Sequence, residues 1–205
     1  MKTARKALML ILCAALLVSA TVMGTLAFLT AESKTVTNTF TVGNITIDLW
    51  ENDFVLATNT LDTNKKVTEE TEYKVVPGGK SPKNPTVTVK AGSEECYVYV
   101  TVENNLLLND GTAVATLTYA NGWTEVKTVG TKTLYRYNNT VNATADKDLP
   151  VFTEVTYDGE KITEANIGQL NGDKIIINAF AHQSVNTTQA VADAAATDWA
   201  FPSAT

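Results

Sequence analysis

His182 is the only imidazole in the 205-residue chain, and Cys96 is the only thiol beyond residue 27. A zinc hydrolase typically takes two histidines one helical turn apart with a glutamate beside the first. His182 is followed by Gln183 and has neither partner, so it reads as a polar residue at a strand end. Cys96 alternates with Val98, Val100 and Val102 and reads as a buried, unreactive position. Ser81 in the stretch GKSPK lacks the strand–turn–helix setting of a nucleophile elbow. Glu94 with Glu95, and Asp146 with Asp148, are carboxylate pairs that could hold calcium. The ligand loop with its central glycine is missing, and solvated surface charge is the better reading. No glycine-rich phosphate cradle is present. Trp50, Tyr97, Tyr99, Trp123, Tyr135 and Tyr137 would suit a sugar-stacking platform, and they suit cross-strand packing equally well. The expectation is a protein that is not an enzyme and holds no cofactor and no metal.

The elements that would carry these residues are mostly strands. Val36, Phe40 and Val42 alternate with threonines, and after Gly43-Asn44 the alternation resumes at Ile45, Ile47 and Leu49. Period-two patterning with β-branched residues is the mark of a half-buried strand. Further strands are expected near residues 85–90, 96–103, 113–119, 123–128, 134–137, 152–157 and 175–181. Residues 54–73 read as a loop or a short edge strand. Asn121-Gly122 between two apolar runs predicts a two-residue hairpin. A short helix is expected over 163–170. Another is expected over 187–199, capped by Thr187 or Thr188, with Val191, Ala195 and Trp199 on one side. About eight or nine short strands with frequent turns imply an all-β antiparallel β-sandwich with short helices.

The N-terminus has a different character. Lys2, Arg5 and Lys6 precede an uncharged apolar run, and small residues follow up to Ala27. Basic head, apolar middle and small-residue exit make a secretory signal peptide over 1–27, with cleavage between Ala27 and Phe28. The remainder, 28–205, is long enough for one domain with a substantial core. Removing the three basic residues of the signal takes the net charge from −6 to −9. A chain of that charge repels phosphate backbones, so nucleic acid is not an expected partner.

The stretch GTLAF, followed by NTFTVGNITIDLWE, resembles the start of the TasA/camelysin (CalY) family of exported Gram-positive proteins with a SipW-type signal peptide. VVPGG at 75–79, with Asn84-Pro85 and the YVYV strand beyond, is similar to a second block of that family. IIINAFAHQ at 175–183, with the alanine-rich tail to Trp199-Ala200, is similar to its C-terminal segment. Residues 104–172 carry little of the likeness. The resemblance implies a jelly-roll-type sandwich, secretion to the cell surface or biofilm matrix, and processing by a dedicated signal peptidase. It also implies self-assembly into fibres by donation of an N-terminal strand, here 28–42 with Val36, Phe40 and Val42 as anchors. The partner would then be a second copy of the chain, with other matrix or cell-wall proteins as further candidates. Part of the family has been assigned zinc endopeptidase activity, so a surface metallopeptidase is an alternative. A monomeric surface, spore-coat or sugar-binding sandwich is another.

Overall fold

Valine and threonine in alternation build the centre of the molecule. In the computed structural model, which describes residues 44–68 and 72–203, eleven strands form antiparallel sheets, with one α-helix and one 3₁₀ turn. The strands are β1 Ile47–Val55, β2 Thr60–Val67, β3 Lys80–Pro82, β4 Thr86–Val89, β5 Cys96–Asn104 and β6 Ala115–Tyr119. They continue as β7 Trp123–Val129, β8 Lys132–Tyr137, β9 Lys147–Pro150, β10 Phe152–Tyr157 and β11 Ile175–Gln183. Hydrogen-bonded neighbours run β2-β1-β4-β9, β3-β10-β6 and β11-β5-β8-β7. The first two sheets are continuous with each other. Lys83 N donates to Thr153 O (3.0 Å) and Val151 N to Pro85 O (2.8 Å), bridging the β3–β4 and β9–β10 joints. The result is an all-β sandwich of two layers.

Between the layers lie Val87 and Val89 of β4, Val98, Val100 and Val102 of β5, and Phe152 and Val155 of β10, each at most 2% exposed. Cys96 is on the same face of β5 and fully buried, as its alternation with valines predicts. Burial of β-branched side chains on a pleated surface is the main stabilisation of such a core. The opposite face of β5 is buried as well. The α-helix, α1 (Gln189–Ala200), lies there, with Ala192, Ala196 and Ala200 against Tyr99 and Leu134. Thr188 caps it, its Oγ1 accepting from Val191 N, as the sequence predicts.

Four expectations need correcting. Val191 is 54% exposed, and the helix buries the alanine stripe one residue further on, because only a methyl side chain lets the helix axis approach Tyr99 closely. The helix expected over 163–170 is a 3₁₀ turn confined to Ile167–Leu170. Asn121-Gly122 does not close a hairpin. β6 pairs with β10 and β7 with β8, so this turn carries the chain from one layer to the other. The hairpin in that region is β7–β8, which turns at Gly130 with φ 61°. The short strand β9 was not anticipated, since KDLP carries two charges and a proline and shows no alternation. Residues 54–73 contain β2, an edge strand, one of the two readings the sequence allowed.

Candidate functional site: an open edge and the groove beside it

Sheet edges expose unpaired amide and carbonyl groups and invite pairing with another chain unless something blocks them. Most edges here are blocked. β2 carries Asp62, Lys65 and Lys66 and itself bulges opposite Asn52/Asp53 of β1. β7 has a bulge between Glu125 and Lys127. β9 and β3 are short and end in Pro150 and Pro82. β6 has five residues and faces a bulge in β10.

β11 is different. Its nine residues, IIINAFAHQ, contain no proline and no acidic or basic residue other than His182. It pairs with β5 in unbroken register from Ile175↔Asn104 to Gln183↔Cys96. Among the described residues no strand pairs with its outer edge. Among the described residues the edge of β1 at Ile47–Trp50 that faces away from β4 has no strand beside it either, because β2 pairs only from Glu51 onward.

Between these two edges the sandwich opens into a groove of about 1200 Å³. Leu49 and Glu51 of β1 and Ile175 and Ile177 of β11 line its sides, and the buried Leu106 and Val155 lie behind them. Ile175, Ile177, Ala179 and Ala181 face the core and are only partly covered, where their partners Val98, Val100 and Val102 on β5 are fully or almost fully buried. The core therefore lacks a cover along this seam among the described residues.

The groove lining is mixed: Thr68, Glu72, Lys74, Asn171 and Asp173 line it beside the apolar residues, and Glu51, Tyr73 and Lys83 form a cluster there. Lys83 Nζ donates to both oxygens of Glu51 (2.8 and 2.6 Å) and to Tyr73 Oη (3.3 Å), and sits 4.4 Å from the centre of the Tyr73 ring. The Lys83 and Glu51 side chains keep only 9% and 13% of their exposure. Burial pulls the Lys83 ammonium below its ordinary pKa, and the Glu51 carboxylate opposes that shift. The Tyr73 phenol is raised, mainly by burial and then by the Glu51 charge. Tyr73 in turn stacks on Phe54 at 4.3 Å. Nothing in the spacing of Glu51, Tyr73 and Lys83 marks them as a cluster. Only the pairing of β1 with β4, and the run from β3 into β4, bring them together.

The residues that could do chemistry are dispersed. His182 Nδ1 lies 2.9 Å from Gln183 O, and its ring neighbours Phe180 at 6.4 Å. Among the described residues no group of three His, Cys, Asp or Glu side chains could hold a metal ion, and the surroundings of His182 do not fit a zinc centre. Burial pushes the Cys96 thiol up to about 11, far from thiolate reactivity at neutral pH. Ser81 is buried and accepts from the Tyr157 hydroxyl at 3.1 Å. Asp146 accepts from Lys90 Nζ (2.8 Å) and Ala91 N (2.9 Å), Asp148 from Thr88 Oγ1, and Glu95 from Ser184 and Thr140.

The aromatic residues are engaged in packing. Tyr99 is fully buried, Tyr135 pairs with Tyr119, and Tyr137 meets Trp123 edge-on. The Trp50 indole N–H donates to Thr88 Oγ1 (2.7 Å). Ala27, Phe28, Val36, Phe40 and Val42, expected to be the cleavage site and the assembly strand, lie outside the described residues. No family model, no curated protein and no solved structure matches this chain.

Proposed function

We propose that this protein is a secreted structural subunit of the cell surface or biofilm matrix that polymerises by strand addition, in the manner of the TasA/camelysin family it resembles. The observation that carries the reading is the contrast among the edges. Among the described edges β11 alone is long, unbulged and free of proline and of Asp, Glu, Lys and Arg, and it borders a groove where core-facing apolar residues are only partly covered. Sandwich proteins usually protect such an edge, and one left open beside uncovered core is suited to receive a strand. The donor is residues 28–42 of a second copy, freed when signal peptidase cuts between Ala27 and Phe28. Val36, Phe40 and Val42 would cover the seam, each contributing about 1.5–3 kcal/mol before ordering costs. The jelly-roll subtype, the extracellular location and a non-catalytic role belong to the same proposal.

Electron microscopy of the purified chain beginning at Phe28 tests it, with Ile176→Lys as the informative variant. Ile176 is 41% exposed, so a lysine there is tolerated by the fold yet places a charge on the open edge. The parent is expected to form fibres and the variant to remain monomeric with an unchanged circular dichroism spectrum. Fibres from Ile176→Lys indistinguishable from the parent's would reject β11 as the acceptor.

A further inference from the structure

Resting on the strand addition proposed above, we infer that the incoming strand of a second copy docks on the main chain of four residues of β11, Ile175, Ile177, Ala179 and Ala181. Contacts at the two ends of the β5–β11 ladder fix its phase. Asn105 N donates to Lys174 O (3.1 Å) at one end, and Ser184 N donates to Glu95 O (2.9 Å) at the other. In an antiparallel pair the groups directed at the partner belong to every second residue. The register is unbroken between these contacts, so Ile176, Asn178, Phe180 and His182 turn their amides and carbonyls to β5. Ile175, Ile177, Ala179 and Ala181 turn theirs the other way, where no strand lies among the described residues. β5 shows the complementary phase. Cys96 N and O bond to Val141 (2.8 and 3.0 Å), and Asn104 N donates to Thr131 O (3.0 Å), all on the side away from β11.

The same four residues point their side chains at the core and are only partly covered there. Free hydrogen-bonding groups and uncovered apolar surface therefore fall on the same residues, and one extended strand laid along β11 supplies partners for both. The four span Ile175 to Ala181, so the docking segment is about seven residues long. It needs free main-chain amides, hence no proline at the bonding positions, and apolar side chains at every second residue. The open stretch of β1 is the weaker candidate. Lys90 N donates to Thr46 O (2.9 Å) and Asn52 N to Asn84 Oδ1 (2.9 Å), so by the same alternation only Ile47 and Leu49 turn outward there. The β11 ladder stops at Gln183, whose outward carbonyl already lies 2.9 Å from His182 Nδ1.

Hydrogen exchange read at single amides, on the chain beginning at Phe28 as monomer and as fibre, tests this. In the monomer the amides of Ile176, Asn178, Phe180 and His182 should exchange slowly and those of Ile175, Ile177, Ala179 and Ala181 quickly. Assembly should slow the second set by about a hundredfold or more and leave the first set slow. Ala179→Pro is the matching variant. It removes an amide hydrogen that β5 does not use, so the chain should keep its circular dichroism spectrum. The concentration at which it assembles should rise about tenfold or more, because one bond of the docking ladder is gone. The exchange pattern decides the matter even where that variant fails to fold. Quick exchange of the four amides in fibres, or a folded Ala179→Pro that assembles like the parent, overturns the ladder and leaves assembly through another surface. Slow exchange of all eight amides in the monomer overturns the second copy as the source of the strand. A parent that never assembles, with the four amides still exchanging quickly, overturns strand addition itself and this docking with it.

Discussion

Lys83 and Arg136 are the two cations taken furthest out of water among the ion pairs of the described residues, and each donates to both oxygens of one carboxylate. Arg136 Nη1 donates to both oxygens of Asp193 (3.0 and 2.7 Å), and the buried Tyr99 hydroxyl donates to Asp193 Oδ1 (2.8 Å). This cluster ties α1 to β5 and β8. Asp193→Ala strands a guanidinium whose side chain is 15% exposed, and chemical denaturation should show a loss of about 2–3 kcal/mol. That lies at or below the range for breaking a buried pair, because Asp193 itself keeps 24% exposure. Asp193→Asn, which keeps an acceptor for Tyr99, should lose less. Cys96 gives a second prediction at this scale. Fully buried and protonated at neutral pH, it should resist iodoacetamide in the native protein at pH 8 and react once the chain is unfolded. Full labelling of folded protein would contradict its place in the core.

Among elements, α1 shows how small residues determine a docking distance. Its buried stripe is Ala192, Ala196 and Ala200, with Trp199 stacked on Phe180 of β11 at 5.1 Å. Ala196→Leu should overpack the contact with Tyr99 and Leu134 and lower stability by about 1–3 kcal/mol. Val191→Leu, on the exposed side, should change it by less than about 0.5 kcal/mol. The two turns that contain Gly78 and Gly159 meet backbone to backbone. A Cβ on Gly159 would lie 2.9 Å from Gly78 Cα and N, and neither can move away without shifting its turn. Gly159→Ala should therefore lower the melting temperature by several degrees, consistent with a cost of about 1–3 kcal/mol. An unchanged melting curve would show that the turns do not touch.

For the whole molecule, alkaline pH is the sharper stress. Burial raises the phenols of Tyr73, Tyr99, Tyr119 and Tyr157 above their ordinary value near 10.0, and raises the Cys96 thiol to about 11. The folded state holds these protons after the unfolded chain has released them. Their contribution is thus complete below the unfolded values, near 9 for the thiol and 10 for the phenols, and is lost as pH rises through the folded ones. On the acid side Glu95, Asp110, Asp146, Glu154 and Asp158 are held below the usual carboxylate range by hydrogen bonds. Their contribution is present above their unfolded values and fades as pH falls through the folded ones. All five lie at the surface, exposed or half-exposed, so solvent screens these contacts and the acid effect should be shallow. Melting temperature measured from pH 3 to 11 should be level from about pH 5 to 9, decline gently in acid and drop steeply above pH 10. A flat profile between pH 9 and 11 would contradict the burial of the tyrosines.

Local pattern determined the strands whose faces differ. Cys96, Val98, Val100 and Val102 declare a core face by alternation alone, IIINAFAHQ declares a strand, and Thr188 ahead of an alanine-rich run declares a capped helix. The all-β class follows from these, since period-two alternation recurs along the whole chain. What local pattern could not carry is partnership. Asn-Gly favours a tight reversal, yet whether the strands on either side pair with each other depends on which neighbours bury their apolar faces better. Here β10 and β8 took them instead. The burial of both faces of β5, the choice of the alanine stripe on α1, and the meeting of Glu51 with Lys83 and Tyr73 are long-range contacts. So is the open edge of β11, a property of every other strand's pairing, which no stretch of nine residues can encode by itself.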